Sequence, residues 1–209
     1  PMAPIRIVGV NFSNFVQSVL LALREKGADY ELVPPPSALK EPAHMALHPW
    51  GKIPVAQLDS GPLYETTAIL RWIDTALPGR ALMPTDPLAA ARTEQWMSAI
   101  KSYLDLHAVR EIGSPMFWAS RRGETFTPSE TSLAALAHDL SIFETALGNG
   151  PFLGGDAPNL ADLLLAPIVN AVALMAETRM MLYMRPALTG FLAAVHARPS
   201  AEGILRKPV

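Results

Sequence analysis

Between His48 and Ile69 the chain reads H-P-W-G-K-I-P-V-A-Q-L-D-S-G-P-L-Y-E-T-T-A-I, and few folds accommodate residues in that order. A proline after Ile53 opens an apolar run, D-S-G turns the chain, and a second short run follows. An acid and a hydroxyl then stand where a helix begins. Proline donates nothing to a sheet ladder, so Pro54 belongs at a strand start, at an edge or just before pairing begins. A cis bond is expected at Ile53–Pro54, with the main chain of Ile53 turned outward to pair with the backbone of a bound ligand. Glu65 and Thr66 fall at a helix N-terminus, where unpaired N–H groups and the positive end of the dipole collect. The stretch predicts a surface that holds a short peptide by its main chain and its charged ends.

The hydrophobic pattern on either side places this stretch in a small α/β unit. Ile5 to Val10 reads as a buried strand, Ser13 to Lys26 as an amphipathic helix stopped by Gly27, and Tyr30 to Val33 as a second strand closed by three prolines. That is a βαβ unit with a right-handed crossover between parallel strands. A short helix is expected over Lys40 to Leu47. A hairpin follows, Val55 to Leu58 with Leu63-Tyr64, and then a helix from Glu65 to Ala76. Three prolines and Gly79 between Leu77 and Pro87 mark a change of regime. Beyond it everything reads as helix: from Asp86-Pro87 to about Ser114, from Pro128 to Gly148, from Asn159 onward, from Met180 to Met184, and from Pro186 to Ala197. Asn159 with Asp162 three residues later reads as a capping box opening a helix that is apolar nearly all round, fit for the centre of its domain. The expected division is 1–78, a linker at 79–86, and an all-helical 87–209.

Composition removes several classes of function. There is no cysteine among the 209 residues, which excludes disulfides, thiolate metal sites and a cysteine nucleophile; any thiol chemistry here uses a thiol brought by the substrate. A net charge of −2 with no Lys/Arg cluster gives nothing for nucleic acid to bind. The longest apolar stretch, Leu163 to Ala176, is broken by Pro167 and Asn170 and falls short of the ~20 residues of a membrane span. No signal peptide is evident, so a cytoplasmic location is expected. The five histidines form no metal constellation: His44 and His48 are four apart, but His48 precedes Pro49, where helix is disfavoured.

The element order, the P-W-G-K-I-P loop at Pro49 to Pro54, the pair Glu65-Thr66 and the G-D-A-P-N-L-A-D run at Gly155 to Asp162 together resemble the soluble glutathione transferase family, over nearly the whole chain. The resemblance implies a thioredoxin-like βαβαββα domain followed by an all-helical domain, and conjugation of glutathione through sulfur to small hydrophobic electrophiles. N-F-S-N-F-V-Q-S-V-L-L-A-L-R-E-K-G-A is most similar to the phi and theta classes, in which a serine at the start of the first helix activates the thiol; that match falls on Ser13. Lys40, in K-E-P-A-H-M, matches the family lysine that holds the glycine carboxylate. Lys52 stands where glutamine is common, and Thr66 where serine is usual.

What the resemblance implies for each residue agrees with its chemistry. Lys40 and Lys52 meet the glycine carboxylate, Glu65 the γ-glutamyl ammonium, Thr66 the γ-glutamyl carboxylate, and Ile53 with Pro54 the cysteinyl main chain. Ser13 donates its O–H to the sulfur, with Asn11 and Asn14 as rival donors; taken alone, Ser13 reads equally as a helix cap. Lowering a thiol pKa from ~8.5 to ~6.5 takes about 2.7 kcal/mol of differential interaction. Because nucleophilicity falls with pKa, at a slope of ~0.4–0.5, the ~25-fold gain in thiolate is worth only a few-fold in rate. Most of the acceleration must come from holding the electrophile beside the sulfur. Phe12, Met97, Lys101, Leu104, Met116, Phe117 and Trp118 are candidates for its apolar pocket. Trp50, a large aromatic in the loop before the third strand, is a candidate anchor for a homodimer, as the family often inserts a ring there into its partner. No metal is expected. The rival readings are a catalytically silent glutathione-binding scaffold of the same fold, and a glutathione-dependent peroxidase or dehalogenase.

Overall fold

A computed structural model describes residues 4–208, which fall into two compact units. The first runs up to Met83 and takes in Ser200–Ile204; the second comprises Pro84–Pro199 and the chain from Leu205.

In the first unit the elements are β1 (Ile5–Val8), α1 (Asn14–Glu25), β2 (Tyr30–Val33), α2 (Pro42–Met45), β3 (Val55–Leu58), β4 (Gly61–Tyr64) and α3 (Thr66–Ala76). The sheet order is β2-β1-β3-β4, with β1 and β2 parallel and β3 antiparallel to both its neighbours. Alternation of apolar residues at the helical period leaves α1 with Val16, Val19, Leu20 and Leu23 buried, and α3 with Ile69, Leu70 and Ile73. These two helices pack on each other. Ile5, Ile7, Val8, Val55 and Ala56 supply the buried strand residues. The turn of the hairpin is tighter than the sequence suggests. Leu58 pairs directly with Gly61, so only Asp59 and Ser60 lie between the strands, and β4 begins at Gly61 rather than Leu63. Pro62 is tolerated within β4 because that strand is the edge of the sheet. The helix expected over Lys40 to Leu47 forms only as the four residues of α2.

The segment read as a linker is fastened to the first unit as far as Met83. Leu82 and Met83 are buried, and their N–H groups donate to the Asp74 carboxylate at 2.6 and 3.1 Å. Lys26 Nζ lies 3.4 Å from the same carboxylate and donates to the carbonyls of Asp74 and Arg80 at 2.9 and 3.1 Å. Both side chains of this pair are nearly inaccessible, and the added hydrogen bonds offset the cost of burying charge.

The second unit is helical. The helix opened by Asp86, which accepts from Ala89 N–H at 2.8 Å, runs through α4 (Pro87–Ala99) into a 14-residue π-helical stretch (Ile100–Gly113). It does not stop at Ser114 but continues as α5 (Ser114–Arg121). Pro115 falls in the first turn of α5, where a missing N–H costs least. Next come α6 (Glu130–Leu147), α7 (Leu160–Leu174), α8 (Arg179–Tyr183) and α9 (Pro186–His196). The capping box forms as expected. Asn159 Oδ1 accepts from the N–H of Ala161 and Asp162, while Asp162 accepts from Asn159 N–H at 2.9 Å and also from Leu153 and Gly154. Every residue of α7 from Leu160 to Asn170 is buried, and α4, the π-helical stretch, α8 and α9 pack around it. None of the described helices is long and apolar enough to cross a membrane.

Candidate functional site

Strand register gathers the candidate residues of the first unit at one end of the sheet. Val33, Val8, Val55 and Tyr64 pair in a single row across all four strands. Just past that row lie the turn from β1 into Ser13, the residues Lys52 to Pro54 that lead into β3, and Glu65 with Thr66 beyond β4. Two helices, α1 and α3, start there and bring their unpaired N–H groups to the same end.

Ser13 holds the cap position of α1, with an extended backbone (φ −78°, ψ 122°) and its carbonyl accepting from Gln17 N–H at 2.9 Å. Its hydroxyl makes no capping hydrogen bond, although serine is a favoured capping residue. The bland assignment of Ser13 as a cap thus loses its expected interaction, and a half-buried hydroxyl is left at a helix N-terminus. Asn14 is the first residue of α1 and half-buried, and Asn11 is exposed in the preceding turn.

Glu65 is the one non-glycine residue with positive φ among the described residues, at φ 68°, ψ 117°. A side chain there costs of order 1–3 kcal/mol, and such strain collects at ligand sites. Its strained backbone places the carboxylate at the N-terminus of α3, and Thr66 behind it is only 5% exposed. The Ile53–Pro54 bond is cis, and Ile53 itself makes no main-chain hydrogen bond to another described residue.

The loop before β3 is held from three directions. Lys40 Nζ donates to Trp50 O at 2.6 Å, so this candidate for the glycine end is tied to the loop while keeping two further donors. His44 Nε2 meets Lys52 O at 2.8 Å, and Trp50 N–H donates to His48 Nδ1 at 3.3 Å. Gly51, at φ 58°, is obligatory: a Cβ there would lie 2.1 Å from the carbonyl oxygen of Leu39. The His48 ring stacks on Tyr64 at 4.9 Å and meets Trp50 edge-on at 6.3 Å, and Trp50 in turn lies 6.1 Å from Tyr64. Burial pushes the His48 pKa below its ordinary value; Glu65 opposes the shift, while His44 and Lys52 reinforce it. The two histidines were legible only as a metal pair that fails. Their bonds to a carbonyl and an N–H of the loop depend on how the chain folds back on itself, which residue spacing does not carry. Lys52 is exposed, and no group of three or more His, Asp or Glu that could hold a metal ion occurs among the described residues.

In the second unit the pocket candidates separate. Met97 and Leu104 are fully buried in the packed interior. Lys101 and Met116 are half-buried; Phe117 and Trp118 are exposed on α5 with rings crossed at 5.1 Å. Phe12, in the first unit, is exposed in the turn before Ser13.

Residues 12–76 match the family model for the glutathione S-transferase N-terminal domain, and residues 114–199 that for the C-terminal domain. A glutathione S-transferase of Pseudomonas putida is 32% identical over 176 residues, 80% of this chain and 76% of that protein. Glutathione S-transferase 3 of Zea mays is 28% identical over 96% of this chain and 93% of its own length. Among solved structures, glutathione S-transferase III in its apo form superposes with a TM-score of 0.83 at 27% identity, covering 99% of this chain and 100% of the other. The first unit is a thioredoxin-like domain, the second the helical domain that accompanies it, and this chain belongs to the glutathione S-transferase family.

Proposed function

We propose that this glutathione transferase ionises the thiol of glutathione at Ser13 and adds the sulfur to a small hydrophobic electrophile. The observation that carries the reading is the Ser13 hydroxyl, which stands at a helix N-terminus yet leaves its cap unmade, at the end of the sheet where Ile53 and Glu65-Thr66 also lie. In this reading the thiol proton passes to solvent water, the helix N–H groups and the serine O–H stabilise the thiolate left behind, and Ser13 keeps its own proton throughout. The sulfur then forms a bond to the electrophilic carbon, and the leaving group departs with the electron pair of the bond that breaks. Glu65 pairs with the γ-glutamyl ammonium and Thr66 with its carboxylate. Lys40 and Lys52 take the glycine carboxylate, and Ile53 with Pro54 the cysteinyl main chain. Phe12, Lys101, Met116, Phe117 and Trp118 remain the proposed contacts for the electrophile.

Detoxification in the cytoplasm suits this chemistry, because glutathione is kept reduced there and apolar electrophiles are what the sulfur attacks. The proposed assembly is a homodimer anchored by Trp50, a ring 60% exposed and braced by His48 and Tyr64. On the second unit a shallow groove of about 510 Å³, lined by Trp96, His138, Ser141, Ile142, Thr145 and Ala146, offers an apolar seat for the ring of a second copy.

Incubation with glutathione and a chlorodinitrobenzene separates this reading from its rivals. The expected result is a thioether conjugate formed at a rate that saturates in glutathione. Glutathione binding without any turnover would favour a scaffold. Oxidised glutathione formed from a hydroperoxide, with no conjugate, would favour a peroxidase.

A further inference from the structure

His44 has no part in the chemistry above, yet it is fully buried beside the loop that carries Ile53. Its Nε2 lies 2.8 Å from Lys52 O, and since a carbonyl only accepts, Nε2 carries the proton. Its Nδ1 is buried with no hydrogen-bond partner among the described residues, so the Lys52 carbonyl is the ring's one polar partner there. That carbonyl shares its peptide plane with the N–H of Ile53. In a trans peptide the two point in opposite directions, so a donor that fixes the carbonyl on the inner side aims the Ile53 N–H away from the protein.

We propose that His44 is a positioning residue: by donating from Nε2 to the carbonyl of Lys52 it points the Ile53 N–H at the cysteinyl carbonyl of glutathione. The inference rests on the placement of glutathione given under the proposed function. Three features of the fold support the role. The Ile53 N–H has no main-chain acceptor among the described residues. The backbone N–H of His44 is itself tied, donating to Glu41 O at 3.1 Å and to Ser37 Oγ at 3.2 Å, which fixes the base of the side chain. Its carbonyl accepts from Leu47 and His48 N–H at 2.9 and 3.0 Å, so the same residue sets the start of the loop and, through its ring, the loop's far end. Lys40 and His48 hold Trp50 between those two points, and among the described residues it is the His44 side chain that hydrogen-bonds the peptide that would meet the ligand.

The test compares His44→Gln with His44→Asn. Both are neutral and polar, but only the longer amide can place an N–H where Nε2 stands. The account expects His44→Asn to raise KM for glutathione about tenfold, the effect of one lost and misdirected hydrogen bond. His44→Gln should stay within about threefold of the parent, and KM for the electrophile should move in neither. Equal effects of Gln and Asn, or a parallel shift in the electrophile KM, would reduce His44 to a packing residue. Should His44→Asn fail to fold, amide exchange on the unmodified protein decides: the Ile53 N–H must become protected when glutathione is added, and continued exchange overturns the proposal. A parent enzyme with saturable glutathione dependence and a normal His44→Asn refutes this inference alone, whereas a parent that does not bind glutathione refutes both it and the reading beneath it.

Discussion

Glu65 carries local backbone strain at the scale of one residue. A positive φ there would suit glycine, yet the chain spends the energy to set a carboxylate at the head of α3. Glu65→Gly should therefore fold with undiminished or greater stability in thermal melts while losing at least tenfold in glutathione affinity; a clear destabilisation would mean that the carboxylate chiefly holds the fold. His48 makes a second prediction, through pH. Because burial lowers its folded pKa beneath the unfolded value near ~6.5, the unfolded chain takes up the proton first. The stability it contributes is complete above that pH and is lost as pH falls through the window beneath it. The midpoint of unfolding should drop with acid over that range. His48→Asn, which retains an acceptor for Trp50 N–H, should flatten the drop. His196, lowered by burial and by Lys207, will keep a residual slope in the same direction.

Among the elements, those with strong periodicity were readable from sequence: α1, α3, the apolar α7 with its capping box, and the strands on both sides of the proline loop. The misreadings share a cause, which is that tertiary contacts override local signals. The helix expected to end near Ser114 continues to Arg121, because Pro115 falls in a first turn where its missing N–H costs least, and with it the exposed Phe117 and Trp118 stand on a helix. The proline-rich stretch after Leu77 looks like a free linker, yet Asp74 and Lys26 recruit it. Nothing local to 79–83 announces those two partners. Asp74→Ala removes the acceptor of two N–H groups and strands a buried lysine, so it should cost roughly 3–5 kcal/mol in urea unfolding. A loss under about 1 kcal/mol would show that the clasp is incidental.

For the molecule as a whole, the proposed dimer makes a prediction that separates assembly from anchoring. Sedimentation at micromolar concentration should find a dimer, and Trp50→Ala and Ile142→Asp should each shift it toward monomer. A stable monomer refutes the assembly, and a dimer indifferent to both refutes the ring and groove as its anchor. That the loop motif and the two helix starts would lie at one end of the sheet was legible, because they sit at fixed places in the chain; the burial of Met97 and Leu104 was not, since they differ from exposed neighbours only by how the helices close over them. Whether Ser13 stabilises the thiolate is decided by the ultraviolet absorbance of enzyme-bound glutathione thiolate titrated against pH. The account predicts that the bound thiol ionises well below the ordinary value of ~8.5 in the parent enzyme. In Ser13→Ala it should return upward, with turnover at least tenfold lower and glutathione affinity little changed, because the interaction strengthens only as the thiol ionises. Coincident titrations with equal turnover in the two proteins would contradict it and turn attention to Asn11 or Asn14.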